Sequence, residues 1–118
     1  MFVTVFYAVL DAETQTLTYS NAGQNPPLLR RISGRVEKLT RTGAALGVLE
    51  EFTLSDASLI LGPGDTLVIY TDGVTDALNP QGEEYGTSRL TEALVNAPHS
   101  GAGRLLDHLT GNLAAFTR

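Results

Sequence analysis

The sequence predicts an α+β layered domain in which helices pack on antiparallel strands. Three observations predict it. Strand-like runs fill the chain to about residue 71, Gly- and Pro-rich turn signals separate them, and helical periodicity appears only from about residue 87 to 117.

Phe2–Leu10 (FVTVFYAVL) is rich in β-branched and aromatic residues and nearly apolar on both alternating faces, the pattern of a central strand covered on both sides. Asp11–Gln15 carries turn chemistry. Thr16–Ser20 (TLTYS) then alternates, with Leu17 and Tyr19 on one face, so the two runs are expected to form an antiparallel hairpin. Asn21–Pro27 (NAGQNPP) breaks the pattern, because Pro26 and Pro27 cannot donate to a ladder and belong at a strand start or in a loop. Asn21 and Asn25 are expected to satisfy turn backbone there. Leu28–Ile32 and Val36–Leu39 flank Ser33-Gly34 as a second hairpin. Thr42–Gly47 (TGAALG) reads as a loop packed closely against its surroundings. Leu54–Leu61 and Thr66–Tyr70 flank Gly62-Pro63-Gly64-Asp65, the clearest hairpin signal in the chain.

Leu90, Ala93 and Leu94 recur at helix spacing after a candidate cap at Ser88, and Leu105, Leu109, Leu113 and Phe116 form a second stripe after Ala102. Pro98–Gly103 separates these two amphipathic helices. No internal repeat or low-complexity tract is visible.

The 118 residues are 42% hydrophobic and 18% charged, which suits one ordered globular domain. A net charge of -5 and a pI near 4.8 provide no footprint for nucleic acid, whose phosphates call for clustered Lys and Arg. With no cysteine, disulfides, thiolate metal sites and a Cys nucleophile are excluded, and a cytoplasmic location fits. No membrane association is expected, because the apolar opening is far shorter than the ~18 residues of a spanning helix and lacks a basic flank.

The chemistry-bearing segment is Thr71-Asp72-Gly73-Val74-Thr75-Asp76. A carboxylate where a buried strand emerges is held by rigid backbone, as hard divalent cations require of oxygen ligands. Gly73 would let backbone approach closely, and Asp76 would return a second carboxylate one helical turn later. The same residues also fit an ordinary turn in which Asp72 caps a short helix and Asp76 is a solvated acid.

Context weighs on that choice. Met1–Asp11 (MFVTVFYAVLD), Tyr19–Leu29 (YSNAGQNPPLL), Thr42–Val48 (TGAALGV), Leu61–Ala77 (LGPGDTLVIYTDGVTDA) and Asn79–Gly86 (NPQGEEYG) occur in order. Together they resemble the C-terminal portion of the SpoIIE/RsbU-like branch of the PPM (PP2C-like) metal-dependent serine/threonine phosphatases. The resemblance implies an α-β-β-α sandwich, incomplete here, that holds Mn²⁺ or Mg²⁺ and hydrolyses phosphoserine or phosphothreonine without a protein nucleophile. It makes Asp72 a metal ligand and Asp76 a contributor to an additional metal site, with no catalytic residues beyond metal ligands. It also implies a phosphoprotein substrate, typically an anti-sigma-factor antagonist, and an upstream sensory domain in the parent protein.

Two parts of the family pattern are missing: an earlier aspartate with a D-x-x-G-H-G-like segment, and a D-D-x-T-like strand after the last helix. No G-H-G occurs anywhere. Residues 1–118 are therefore read as a partial phosphatase domain, either a fragment of a longer product or a start assigned within a gene, and the isolated chain is expected to be inactive. The absent layers would leave apolar surface exposed and favour self-association. The alternative is a non-catalytic interaction or regulatory module on a degenerate phosphatase fold. The family commonly carries His where this chain has Gln24, which cannot titrate near neutrality. His99 and His108 are expected at the surface, as are Arg30 and Arg31 at a strand end, where they would be available to a phosphoprotein. The Asn79–Gly86 loop, with Glu83 and Glu84, is the expected place for substrate-side variation.

Overall fold

Strand β3 (Leu28–Arg30) is buried along its whole length, and the pleat explains how it serves two layers at once. Successive side chains point to opposite faces of a strand. Leu28 accordingly joins a core with Leu90, Leu94 and Leu105 of the helices, while Leu29 joins a second core with Leu17 and Tyr19 of another sheet. The computed structural model describes residues 3–40, 42 and 55–118. Within them β1 (Val5–Asp11), β2 (Thr16–Ala22), β3, β4 (Val36–Lys38), β5 (Ala57–Ile60) and β6 (Thr66–Val68) precede α1 (Asp72–Thr75), α2 (Gly86–Val95) and α3 (Ala102–Thr117).

The strands form two antiparallel three-stranded sheets, ordered β1-β2-β5 and β4-β3-β6. The first sheet packs on one face of the second through Leu17, Tyr19, Leu29, Leu39 and Leu67. The helices cover the other face, with Leu109, Leu113 and Phe116 of α3 beside Tyr85, Leu90 and Leu94. This is the α+β arrangement of antiparallel sheets and C-terminal helices that the sequence predicts.

The first two hairpins form as expected, β1 with β2 and β3 with β4. Gly34 takes a φ of 95° in the second, a conformation that favours glycine. Four other expectations are corrected. Strand β1 is not covered on both sides: it lies at the edge of its sheet, Tyr7 is 64% exposed and Val9 51%, and of its residues Phe6 alone packs inward, stacked on Tyr19 at 5.6 Å. Strand β2 takes one of its edges, and among the described residues no strand takes the other.

The segment around Gly62–Asp65 is a turn but not a hairpin, because β5 pairs with β2 in one sheet and β6 pairs with β3 in the other. The turn carries the chain between layers. It is held by Asp65, whose Oδ2 accepts from Gly62 N at 2.8 Å and whose Oδ1 accepts from Ile32 N at 2.9 Å. Arg31 donates to Asp65 Oδ2 at 2.8 Å, to Glu37 Oε2 at 2.8 Å and to the Ile60 carbonyl at 2.5 Å, so one guanidinium ties both sheets to the turn. At Gly64, with φ of 84°, a Cβ would run into the Ile32 side chain.

Ser88 is not a cap, since α2 begins at Gly86 with Tyr85 before it. The Tyr85 ring is anchored in the core, and burial pushes its hydroxyl pKa up, so it stays protonated and donates to Asn112 Oδ1 at 2.5 Å. Arg30 is not exposed either. It is 1% accessible, and its guanidinium donates to the carbonyls of Leu94 at 2.8 Å, Ala97 at 2.9 Å and Pro98 at 3.3 Å. Because Arg30 shares the helix-facing side of β3 with Leu28, it meets the C-terminus of α2 and the turn that follows, where the negative end of the helix attracts a cation.

Replacing Arg30 by Ala would remove all three bonds, and Arg30→Ala is expected to lower unfolding free energy by about 2–4 kcal/mol in urea titration, as loss of buried hydrogen bonds implies. Asp65 generates a pH dependence. Burial alone would raise its carboxyl pKa, but the N–H groups of Arg31, Gly62 and Ile32 outweigh it and hold the value below the ordinary one. A carboxyl depressed in the folded state stabilises fully above its unfolded value, near ~4, and that contribution is lost as pH falls through the folded value. Melting temperatures recorded against pH should show Asp65→Asn less stable at neutrality and less sensitive to acid below about pH 4.

Candidate functional site

From β6 the chain runs through Ile69 and Tyr70, the latter buried in the helix-facing core, and emerges at Thr71. Thr71 is extended (φ -115°, ψ 172°) and α1 begins at the next residue. Val74 N donates to Thr71 O at 3.0 Å and Asp76 N donates to Asp72 O at 2.8 Å, closing a single helical turn. Asp72 is thus the first helical residue and Asp76 the last cap, both exposed. Neither side chain caps the helix, and Thr71 makes no cap bond. Gly73 turns out not to be needed for close approach, since an added Cβ would meet nothing nearer than Thr71 Oγ1 at 3.5 Å, an ordinary contact.

Asp72 is not an isolated acid. Asn25, in the loop between β2 and β3, donates from Nδ2 to Asp72 Oδ1 at 2.5 Å. The expectation that Asn25 serves turn backbone is therefore corrected, while Asn21 behaves as expected: it is fully buried, its Oδ1 accepts from Gln24 N at 2.9 Å, and its Nδ2 donates to Leu39 O at 3.1 Å. Gln24 accepts from the Thr4 hydroxyl at 2.6 Å. The residue that sequence reasoning missed is thus Asn25. A polar side chain directly before Pro-Pro, where backbone freedom is least, is the signal that could have drawn attention to it.

Thr42 is the part of the TGAALG segment within the described residues, and its Oγ1 accepts from Asn21 N at 2.8 Å. On the far side of α1 a cavity of about 280 Å³ is walled by Val68, Tyr70, Thr71, Val74, Leu109 and Leu113. The following loop closes through an antiparallel bridge between Leu78 and Glu84. Asn79 orders it, accepting from Gln81 N at 3.1 Å and Glu83 N at 2.8 Å and donating to Glu83 Oε1 at 2.9 Å. His99 is exposed and His108 half-buried on α3.

The donors at Asp72 and Asp76 are hard oxygens, which suit Mn²⁺ or Mg²⁺ in kind. They do not suffice in number: no group of three or more His, Cys, Asp or Glu able to hold a metal ion occurs among the described residues. Mg²⁺ prefers about six oxygen ligands, so further donors would have to complete the shell. Among the described residues no helix is long and apolar enough to cross a membrane.

Comparison with known proteins adds to this geometry. The family model described as Stage II sporulation protein E (SpoIIE) matches residues 1–118. Protein IcfG of Synechocystis sp. (strain ATCC 27184 / PCC 6803 / Kazusa) is 40% identical over 107 residues, which are 91% of this chain and 17% of that protein. Phosphoserine phosphatase RsbP of Bacillus subtilis (strain 168) is 33% identical over 75 residues, 64% of this chain and 19% of that protein. The SiaA-PP2C domain of Pseudomonas aeruginosa superposes with a TM-score of 0.82 at 18% identity, covering 97% of this chain and 45% of that one, a likeness of fold. The chain therefore spans about a fifth of the length of these curated relatives.

Proposed function

The chain belongs to the SpoIIE family, and on that premise we propose that it is part of a metal-dependent protein serine/threonine phosphatase in which Asp72 is a metal ligand. PP2C-type phosphatases are metal-dependent, and one SpoIIE phosphatase domain is known from Mn-presoaked material. The observation that carries the reading is the Asp72 carboxylate itself, exposed at the first residue of α1, shortly after β6, and held there by Asn25. A turn tied to a packed sheet gives a ligand a defined position, and exposure leaves it open to an ion.

The chemistry supplied by Mn²⁺ or Mg²⁺, when bound, is acidification of a water molecule and neutralisation of phosphoryl charge. The chain's own contribution is to fix Asp72, and to a lesser degree Asp76, as anionic oxygen donors on rigid backbone. The ordered loop 79–86 beside α1 would meet the phosphoprotein. By family, the substrate is a phosphoserine or phosphothreonine on a regulatory protein such as an anti-sigma-factor antagonist, and an upstream sensory domain controls the activity. Because two carboxylates cannot make a tight site, the 118-residue chain alone is expected to bind metal weakly and to be inactive. The second reading is a non-catalytic interaction module on a degenerate phosphatase fold.

The test is Mn²⁺-dependent release of phosphate from a phosphoserine protein, by the 118-residue chain and by a version extended at both ends. The extended form should be active and the short form inactive. In the extended form Asp72→Ala should lower turnover by more than about a hundredfold, beyond the effect typical of groups outside the metal's own shell, with Asp76→Ala milder. Full activity in Asp72→Ala would overturn the ligand assignment. An inactive extended form would favour the interaction module.

A further inference from the structure

The contact between Asn25 and Asp72 joins residues 47 positions apart, one in the loop that enters β3 and the other just beyond β6, its paired neighbour. Its polarity is fixed by chemistry. An ionised carboxylate only accepts hydrogen bonds, so the asparagine must turn its amide nitrogen, not its oxygen, toward Asp72. One carboxylate oxygen is then engaged at 2.5 Å, and among the described residues the other makes no hydrogen bond.

The loop that presents Asn25 is held from both ends. Asn21 ties it to β2 and to Leu39 through its side chain, and Leu39 N donates to Pro27 O at 2.9 Å at the start of β3. Gly23 bends the chain with a φ of 78°. Pro26 restricts the backbone of the residue before it, so Asn25 loses little conformational freedom when its side chain docks. A fixed loop carrying one amide against one carboxylate is more than a solvated surface pair requires.

We propose that Asn25 is a positioning residue of the Asp72 site: its amide holds Oδ1 and thereby presents Oδ2 as the oxygen that meets a divalent cation. The inference rests on the reading of Asp72 as a metal ligand and deepens it. Partners that orient a ligand typically change metal affinity by about 10–100-fold when removed. The arrangement also links the site to both sheets, because Asp72 follows β6 while the loop carrying Asn25 leaves β2.

Two measurements on the 118-residue chain test it. Without metal, three-bond couplings about χ1 of Asp72 should report a single rotamer in the wild type and mixed rotamers in Asn25→Ala. With Mn²⁺ added, broadening of the Asp72 and Gly73 amide signals should require about tenfold more metal in Asn25→Ala. Asn25→Gln, which keeps the amide on a longer arm, should recover part of both effects. Thermal unfolding of each variant separates positioning from loss of fold. Should Asn25→Ala prove unfolded, Asn25→Ser, which removes the amide but keeps a polar side chain, takes its place: an Asp72 rotamer and metal response identical in Asn25→Gln and Asn25→Ser would sink the proposal. It is equally overturned if folded Asn25→Ala keeps one Asp72 rotamer and the wild-type metal response. Failure of the underlying reading looks different: broadening unchanged in Asp72→Ala removes the metal site, whatever Asn25 does to the rotamer.

Discussion

Taking a guanidinium out of water costs several kcal/mol unless its N–H groups find acceptors, and Arg30 finds them in the carbonyls of Leu94 near the end of α2 and of Ala97 and Pro98 just beyond it. The Leu94 carbonyl lies at the negative end of the helix, where a cation is favoured, and it also accepts from Ala97 N at 3.2 Å. The guanidinium is thus satisfied by acceptors that the helix end and the turn after it present. The match is not complete, since Arg30 Nε has no hydrogen-bond partner among the described residues. Even so, the contact fixes where α2 stops on the sheet. That position in turn sets where the chain turns into α3 and lets Leu105 reach the core beneath it.

Arg31, the next residue, points the other way and does for the sheets what Arg30 does for the helix. It gathers Glu37, Asp65 and the Ile60 carbonyl around the turn between layers. The two adjacent arginines thus fasten β3 to the helices and to the second sheet. Such fastening matters for the candidate site, because Asp72 follows β6 while Asn25 precedes β3. Their separation is meaningful only if β3 and β6 stay in register, as the Leu28 to Val68 pairing ensures.

What could be read from sequence follows the range of the signal. The stripes at Leu105, Leu109, Leu113 and Phe116 and the alternation at Leu17 and Tyr19 are local, and both led to the right elements. Gly62-Pro63-Gly64-Asp65 says that the chain reverses but not which strands it joins, so a crossing between sheets was read as a hairpin. Coverage of β1 depends on layers that its own residues do not encode. Arg30 was misjudged because an arginine among leucines carries no mark of the carbonyls awaiting it more than sixty residues away. Asp72 is singled out as a proposed ligand by several blocks of family resemblance, whereas its contact with Asn25 exists only once the chain is folded.

The alternation along β3 has a genetic consequence. Loss of one codon between Pro27 and Arg30 would not merely shorten the strand; it would shift Arg30 into the seam between the sheets and bring Arg31 to the position that faces the helix end. Insertions and deletions in this region should therefore be purged from β3. They can be absorbed at Ser33-Gly34, where nothing lies within 4 Å of a Cβ placed on the glycine.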